Sequence, residues 1–289
     1  MTDRRDFWSK ASADVVAQIC DQYKLKHTTP KTHRVILPVA DLCTAPDGAR
    51  DRQLLRGTAF NVHATSQSGW SFGEVATNGY SGWIDTSALG DPSDDAPTHR
   101  VASAKTYAKT TSGLKTQGHI TPLSMGSELT VLSEQDGWSK IAWSQGPNPQ
   151  VLYVPSPHLT PLGKKETDPV SVAERLIGTP YLWGGNSAFG IDCSGLVQMA
   201  CHACAIPCPG DSDQQEKTLG HTPPAEATPQ RGDLYFWKGH VAWVVDTETL
   251  LHANAHDMAV AYEPVKDAVA RIKAQGEGPV TRHARLTKS

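Results

Sequence analysis

Apolar residues first recur at helical spacing, where Val15, Val16, Ile19, Cys20 and Tyr23 stand at spacings of one, three and four and predict an amphipathic helix over 10–24. From 34 to 162 the pattern becomes short apolar runs broken by Gly, Pro, Asp and Ser, the signature of small all-β barrels. A Pro-rich tether, PSPHLTPLGKKETDP at 155–169, ends that region. Asp168 as N-cap, Pro169 at the first helical position and Gly178 as a stop then predict a helix. YLWGG leads through a loop to Cys193 and a helix of about twelve residues carrying Leu196, Val197, Ala200, Cys201 and Cys204. DSDQQEKTLG predicts a further short helix, capped by Asp211 or Ser212. GDLYFW (232–237), HVAWVVD (240–246) and LLHANA (250–255) read as strands, the last two joined by a turn at TET. The charged stretch KDAVARIKAQGEG reads as a surface helix or loop.

An internal repeat sharpens the β region. LLRGTAFNVHATSQSGWS (54–71) and LSMGSELTVLSEQDGWS (123–139) share one frame, which pairs Gly57 with Gly126, Val62 with Val131 and Trp70 with Trp138. GDPSDDAPTH at 90–99 separates the copies. The frame resembles the bacterial Src-homology-3-like domain, a five-stranded barrel, and implies two such barrels, at 34–90 and 98–160, behind an N-terminal helical segment at 1–33.

With 289 residues and 38% hydrophobic content, the chain can bury more than one core. A formal charge of -3 and no basic run longer than a pair give no electrostatic footprint for nucleic acid or an anionic membrane. The N-terminus alternates charged and apolar residues and lacks the roughly 7 to 15 apolar positions of a secretory signal, so a cytoplasmic location is expected. Cys20 and Cys43 stand apart while four cysteines crowd into 193–208, which is no disulfide framework. Cys201, Cys204 and Cys208 with His202 suggest zinc, but no second C-x-x-C supplies the distant ligand pair. The competing expectation is a helix-core face shared by 193, 197, 201, 204 and 208, with no metal or other cofactor.

GIDCSGL places Cys193 at a helix start. There the sulfur faces unpaired N–H groups and the positive end of the helix dipole, which predicts a lowered thiol pKa. The alternative is a core cysteine beside a cap. A nucleophile needs a base and a group that orients it. His240 opens one strand and His252 lies in the next, so a hairpin between them brings both imidazoles to one site.

TPYLWGG, DCSGLVQ, DSDQQ, RGDLYFW, GHVAWVV and LLHA follow, in order and spacing, the NlpC family of bacterial cell-wall cysteine peptidases, over roughly 165–262. The resemblance implies an α+β fold, with a papain-like catalytic domain at 165–289 preceded by two small all-β Src-homology-3-like barrels. It implies Cys193 as nucleophile, His240 as base, His252 as the residue that orients His240, and Tyr181 as a donor to the oxyanion. Asp192, Ser194, Trp183, Asp211, Ser212 and Tyr80 are the implied substrate-binding residues. The implied substrate is a murein stem peptide cut between γ-D-glutamate and a diamino acid, generally diaminopimelate, with Asp192 receiving the free amine of L-alanine. Thr58 departs from the pattern, since an acid is expected after the first repeat's glycine. Other readings are a wall-bound autolysin, a peptidoglycan-binding protein, or an amidase or acyltransferase on the same scaffold.

Overall fold

The N-terminal helix, α1 (Ala13–Tyr23), stops where Lys24 takes a left-handed φ of 51°. The computed structural model describes residues 3, 5, 13–90, 96–143 and 150–287, so the start of the expected helix at 10–12 and positions 91–95 of the linker at 90–99 lie outside the described residues. Ile19, Cys20 and Tyr23 of α1 pack against Cys43, Ala64, Phe72 and Trp83, with the Tyr23 and Trp83 rings 5.0 Å apart.

The expected helical segment at 1–33 needs correction, because β1 (Leu25–Val35) is a long strand. Its LKHTTPKTHRV sequence has no apolar alternation, so its strand character comes from pairing rather than pattern. β1 runs antiparallel to β4 (Ala59–Ser66), and its register slips between His27 and Lys31, which is where Pro30 sits. With β2 (Val39–Cys43), β3 (Arg50–Leu55), β5 (Trp70–Val75), β6 (Ser81–Asp85) and β7 (Leu89–Gly90) it forms one sheet in the order β3-β2-β6-β5-β4-β1-β7. Leu42, Leu54, Phe60, Val62, Val75 and Ile84 fill its core.

The second β body contains β8 (His99–Val101), β9 (Lys105–Lys109), β10 (Ile120–Ser124), β11 (Glu128–Leu129), β12 (Val131–Gln135), β13 (Trp138–Trp143), β14 (Gln150–Pro155) and β15 (Leu159–Pro161). They form sheets in the orders β10-β9-β14-β13-β12 and β11-β8-β15 around Val101, Leu123, Ile141, Trp143, Leu152 and Val154. The sequence repeat is also a repeat of hydrogen bonds. Gly57 N–H donates to the Val35 carbonyl as Gly126 N–H does to that of Val101, and Thr86 N–H donates to Gly69 as Ser156 N–H does to Gly137.

These strands lie in one compact unit, residues 1–164, and the remainder forms another, 165–289. In the second unit, α2 (Pro169–Glu174) starts at Asp168, whose carboxylate accepts the Val170 N–H at 3.0 Å, as its cap sequence predicts. A two-stranded hairpin of β16 (Asn186–Ser187) and β17 (Gly190–Ile191) delivers the chain to α3 (Cys193–Ala203). A short helix, α4 (Ser212–Thr218), follows. β18 (Asp233–Trp237), β19 (His240–Val244), β20 (Thr249–Asn254), β21 (Ala259–Pro264) and β22 (Arg282–Arg285) form an antiparallel sheet in the order β21-β20-β19-β18-β22. α5 (Val265–Ala274) covers part of this sheet by packing Ala268 and Ile272 against Ala242, Val244 and Leu250. α3 is buried on all sides from Cys193 to Cys201, so it is the unit's central helix and its first residue is held rigidly. Full burial of Leu196 or Val197 contributes about 1.5–3 kcal/mol each. Among the described residues, no helix is long and apolar enough to cross a membrane.

The two repeat glycines differ in what surrounds them. Both have left-handed φ, 86° at Gly57 and 87° at Gly126, but a Cβ at Gly57 would sit 2.5 Å from the Glu128 carbonyl oxygen, whereas one at Gly126 would meet only the Leu55 side chain at 3.0 Å. Gly57→Ala is therefore expected to destabilise the N-terminal unit by more than the roughly 1–3 kcal/mol of backbone strain alone, and by more than Gly126→Ala. Urea unfolding of both variants checks this, and equal losses would contradict it.

Candidate active site

Cys193 stands at the head of α3 because Asp192 caps that helix. One Asp192 oxygen accepts the Gly195 N–H at 2.6 Å and the Ser194 hydroxyl at 2.9 Å, and the other accepts the Gly184 N–H at 3.1 Å. Asp192 N–H in turn donates to the Gly185 carbonyl at 3.0 Å, which ties the loop after Tyr181 to the helix start. The carboxylate expected to receive a substrate amine is thus also the structural cap. Gln215, fully buried on α4, donates to the Ser194 carbonyl at 2.9 Å and the Pro209 carbonyl at 3.0 Å, and so docks α4 on the first turn of α3. Ser212 begins α4, and Asp211 stands at its N-cap position with no side-chain cap hydrogen bond.

The Cys193 sulfur is buried, and the N–H groups of Val241, Ser194 and Cys193 itself are directed at it. Val241 follows His240 in β19, so this contact sets the helix start against the strand that carries the histidine. These donors favour thiolate, as expected for a helix start. Burial and the neighbouring Asp192 charge outweigh them, however, and push the thiol up to about 12. The expected low thiol pKa is therefore reversed. At rest the site holds a neutral thiol.

His240, His252 and Glu263 form a diagonal line across three neighbouring strands. Val244 pairs with Leu250, and Leu250 with Glu263, so residues of matching parity share one face of the sheet. His240 Nε2 lies 2.8 Å from His252 Nδ1, and His252 Nε2 lies 2.9 Å from Glu263 Oε2. His252 is fully buried. Burial and then the nearby His252 and Arg271 hold the His240 imidazole down to about 3, so this ring too is neutral at rest. The Trp237 ring lies 5.7 Å from that of His240. Arg271, on α5, closes the line with two hydrogen bonds to Glu263, at 2.9 and 2.7 Å, and with burial opposing it this partner set holds the Glu263 carboxyl down to about 2.

Tyr181 is anchored by its N–H, which donates to the Met258 carbonyl at 2.9 Å. Burial, then the adjacent Cys193 and Asp192, push its phenol above the usual tyrosine range, so it remains an O–H donor beside the thiol. Trp183 is 72% exposed. Tyr80 belongs to the other unit, where it is 3% exposed within the first β core and its ring lies 5.7 Å from the Arg52 guanidinium.

The helix-core face proposed for the later cysteines holds only in part. α3 ends at Ala203, and the chain turns back through Ala205 at φ 57°, so Cys208 reaches Cys201 from a loop rather than from the helix. His202 is exposed, and no cluster among the described residues has the placement of a metal site.

Sequence reasoning missed Glu263, Arg271 and the docking role of Gln215. Gln215 lies within the quoted DSDQQ stretch, but nothing local in the sequence ties Glu263 to His252.

Residues 178–274 match the NlpC/P60 family, and residues 42–89 match the bacterial dipeptidyl-peptidase Sh3 domain. The chain is 34% identical over 109 residues to the peptidoglycan endopeptidase RipB of Mycobacterium tuberculosis, covering 32% of this chain and 44% of that protein. It is 28% identical over 142 residues to the γ-D-glutamyl-L-lysine dipeptidyl-peptidase of Bacillus subtilis, covering 45% and 46%. The chain thus spans less than half the length of these curated relatives. A solved NlpC/P60 family protein from Bacillus cereus superposes with a TM-score of 0.74 at 20% identity, over 89% of this chain and 99% of that one, a likeness that shows the fold.

An imidazole held at about 3 sets the pH profile expected of any reaction in which it takes a proton. His240 is neutral and able to accept a proton well below the ordinary imidazole value near 6.5, so the acid limb of kcat/KM is expected below pH 6.5. Stability moves the same way. Lowered folded values for Glu263 and His240 give stabilisation that is present above their ordinary values and lost as pH falls towards 2 to 3. A pH–rate profile with its acid limb at or above 6.5 would contradict this electrostatic picture. Residues 178–274 are an NlpC/P60-family domain of papain-like fold, joined in one chain to a bacterial dipeptidyl-peptidase Sh3 domain at 42–89.

Proposed function

We propose that this chain is a cysteine peptidase that hydrolyses the γ-D-glutamyl-L-diamino acid bond of murein stem peptides. The observation that carries the reading is the placement of the Cys193 sulfur against the N–H of Val241, the residue that follows His240 in β19, while the His240 ring is itself hydrogen-bonded to His252. The family match and the name of the Bacillus subtilis relative support the substrate class.

His252 engages Nε2 of His240, which leaves Nδ1 for the thiol. As the sulfur adds to the γ-glutamyl carbonyl carbon, the S–H proton passes to Nδ1 and the carbonyl π pair moves onto oxygen. Tyr181 donates its O–H to that oxyanion. The intermediate collapses to a thioester and expels the diamino acid as an amine, which takes the proton from His240. Water, deprotonated by the same ring, then releases the glutamyl product and restores the thiol. Because thiol and imidazole are both neutral at rest, proton transfer accompanies attack instead of preceding it.

Trimmed peptides bearing a free L-alanine amine, met during murein-peptide recycling in the cytoplasm, are the proposed substrates, with diaminopimelate as the diamino acid. Thr58 in place of an acid, together with the capping duties of Asp192, makes the amine requirement the point to test. The chain is incubated with L-Ala-γ-D-Glu-diaminopimelate, its N-acetylated form, its lysine analogue and whole sacculi. Cleavage of the free tripeptides is expected, with slower cleavage of the acetylated form. Cys193→Ala is expected to abolish turnover while leaving the circular dichroism spectrum unchanged. Turnover that survives Cys193→Ala overturns the mechanism. Sacculus cleavage favours an autolysin, and sacculus binding without cleavage favours a wall-binding protein.

A further inference from the structure

The line of hydrogen bonds does not end at the second histidine. Glu263 Oε2 lies 2.9 Å from His252 Nε2, while Arg271 donates through Nε to Oε1 at 2.9 Å and through Nη2 to Oε2 at 2.7 Å. Gln275 holds the third arm of the guanidinium, accepting from Arg271 Nη1 at 3.0 Å. Glu263 and His252 are both buried, so water does not offer substitute partners.

We propose that the Glu263–Arg271 pair selects the tautomer of His240, acting through His252 to leave Nδ1 of His240 bare for the thiol proton. The inference rests on His240 being the base, as proposed above. A carboxylate gripped by a guanidinium can only accept, so the hydrogen in the contact with His252 belongs to His252 Nε2. A neutral His252 that carries its hydrogen on Nε2 has a bare Nδ1. The hydrogen of the next bond then belongs to His240 Nε2, and His240 Nδ1 has a lone pair. The opposite arrangement would place a hydrogen on Nδ1 of both rings and remove the base.

Both charges are needed for this selection. Glu263 alone, buried against an imidazole, would draw a second proton onto His252. His252 would then donate from Nδ1 to His240 Nε2, which forces the hydrogen of His240 onto Nδ1. Arg271 offsets the carboxylate charge and removes that pull. Glu263 and Arg271 are thus positioning residues that touch no substrate. They fix where a proton sits two rings away.

Arg271→Met tests this. It leaves Glu263 as an unbalanced carboxylate against His252, so His252 takes a second hydrogen, donates from Nδ1, and forces the hydrogen of His240 onto Nδ1. The kcat for the tripeptide is expected to fall about 1,000-fold or more with KM little changed, the scale of a tautomer error in a hydrolytic triad. Adding Glu263→Gln removes the charge and leaves an amide oxygen free to accept from His252 Nε2, and activity is expected to recover at least about tenfold over Arg271→Met alone. A merely structural pair predicts that the double variant is no better than the worse single one.

Long-range proton–nitrogen correlation spectra of the nitrogen-15-labelled full chain read the tautomer directly and need no turnover. The resting wild type is expected to carry the His240 hydrogen on Nε2, and the Arg271→Met protein on Nδ1. A wild-type hydrogen on Nδ1, or an Arg271→Met protein with unchanged tautomer and near-normal kcat, overturns the proposal. If the wild type cleaves none of the peptides, the peptidase reading fails, and the tautomer assignment still stands or falls on the spectra alone.

Discussion

The C-terminal unit depends on one constraint: the buried first turn of a core helix is held against the start of a strand. Asp192 fixes that turn by accepting from Gly195, Ser194 and Gly184, and Gln215 secures it from the other side through the Ser194 carbonyl. The Val241 N–H then meets the Cys193 sulfur. A helix buried from Cys193 to Cys201 cannot slide without exposing Leu196, Val197 and Ala200, so the sulfur's position follows from core packing.

The electrostatics of the site follow from the same burial. Removing the thiol and the imidazole from water disfavours their charged forms, and Asp192 adds to the effect at the sulfur. At the far end of the histidine line, Glu263 and Arg271 form an ion pair in which each group compensates the other. In the proposed mechanism, charge separation is thus deferred until a substrate carbonyl is present to receive it.

How much of this was legible in the sequence depended on whether a signal was local. The cap at Asp168, the helix at Cys193 and the strands at His240 and His252 rest on nearby spacing, and the structure has elements at each place. The repeated Gly-to-Trp frame was visible because both copies need the same turn, and the matched hydrogen bonds of Gly57 and Gly126 show why. β1 was not visible, since its polar residues satisfy no strand pattern and its partner lies about thirty residues further on. Glu263 and Arg271 look like surface charges in sequence, and only the register of β20 with β21 and the placement of α5 bring them to His252. The thiol's raised pKa was hidden because the helix dipole can be read locally whereas burial cannot.

The most direct test of the central claim is to catch the bond that the geometry implies. The chain is mixed with L-Ala-γ-D-Glu-diaminopimelate, quenched in acid within the first turnover and digested for peptide mass spectrometry. The account predicts an acyl group of L-Ala-D-Glu mass on the peptide bearing Cys193. Turnover with that mass on no cysteine, or on Cys201, Cys204 or Cys208 instead, would contradict it.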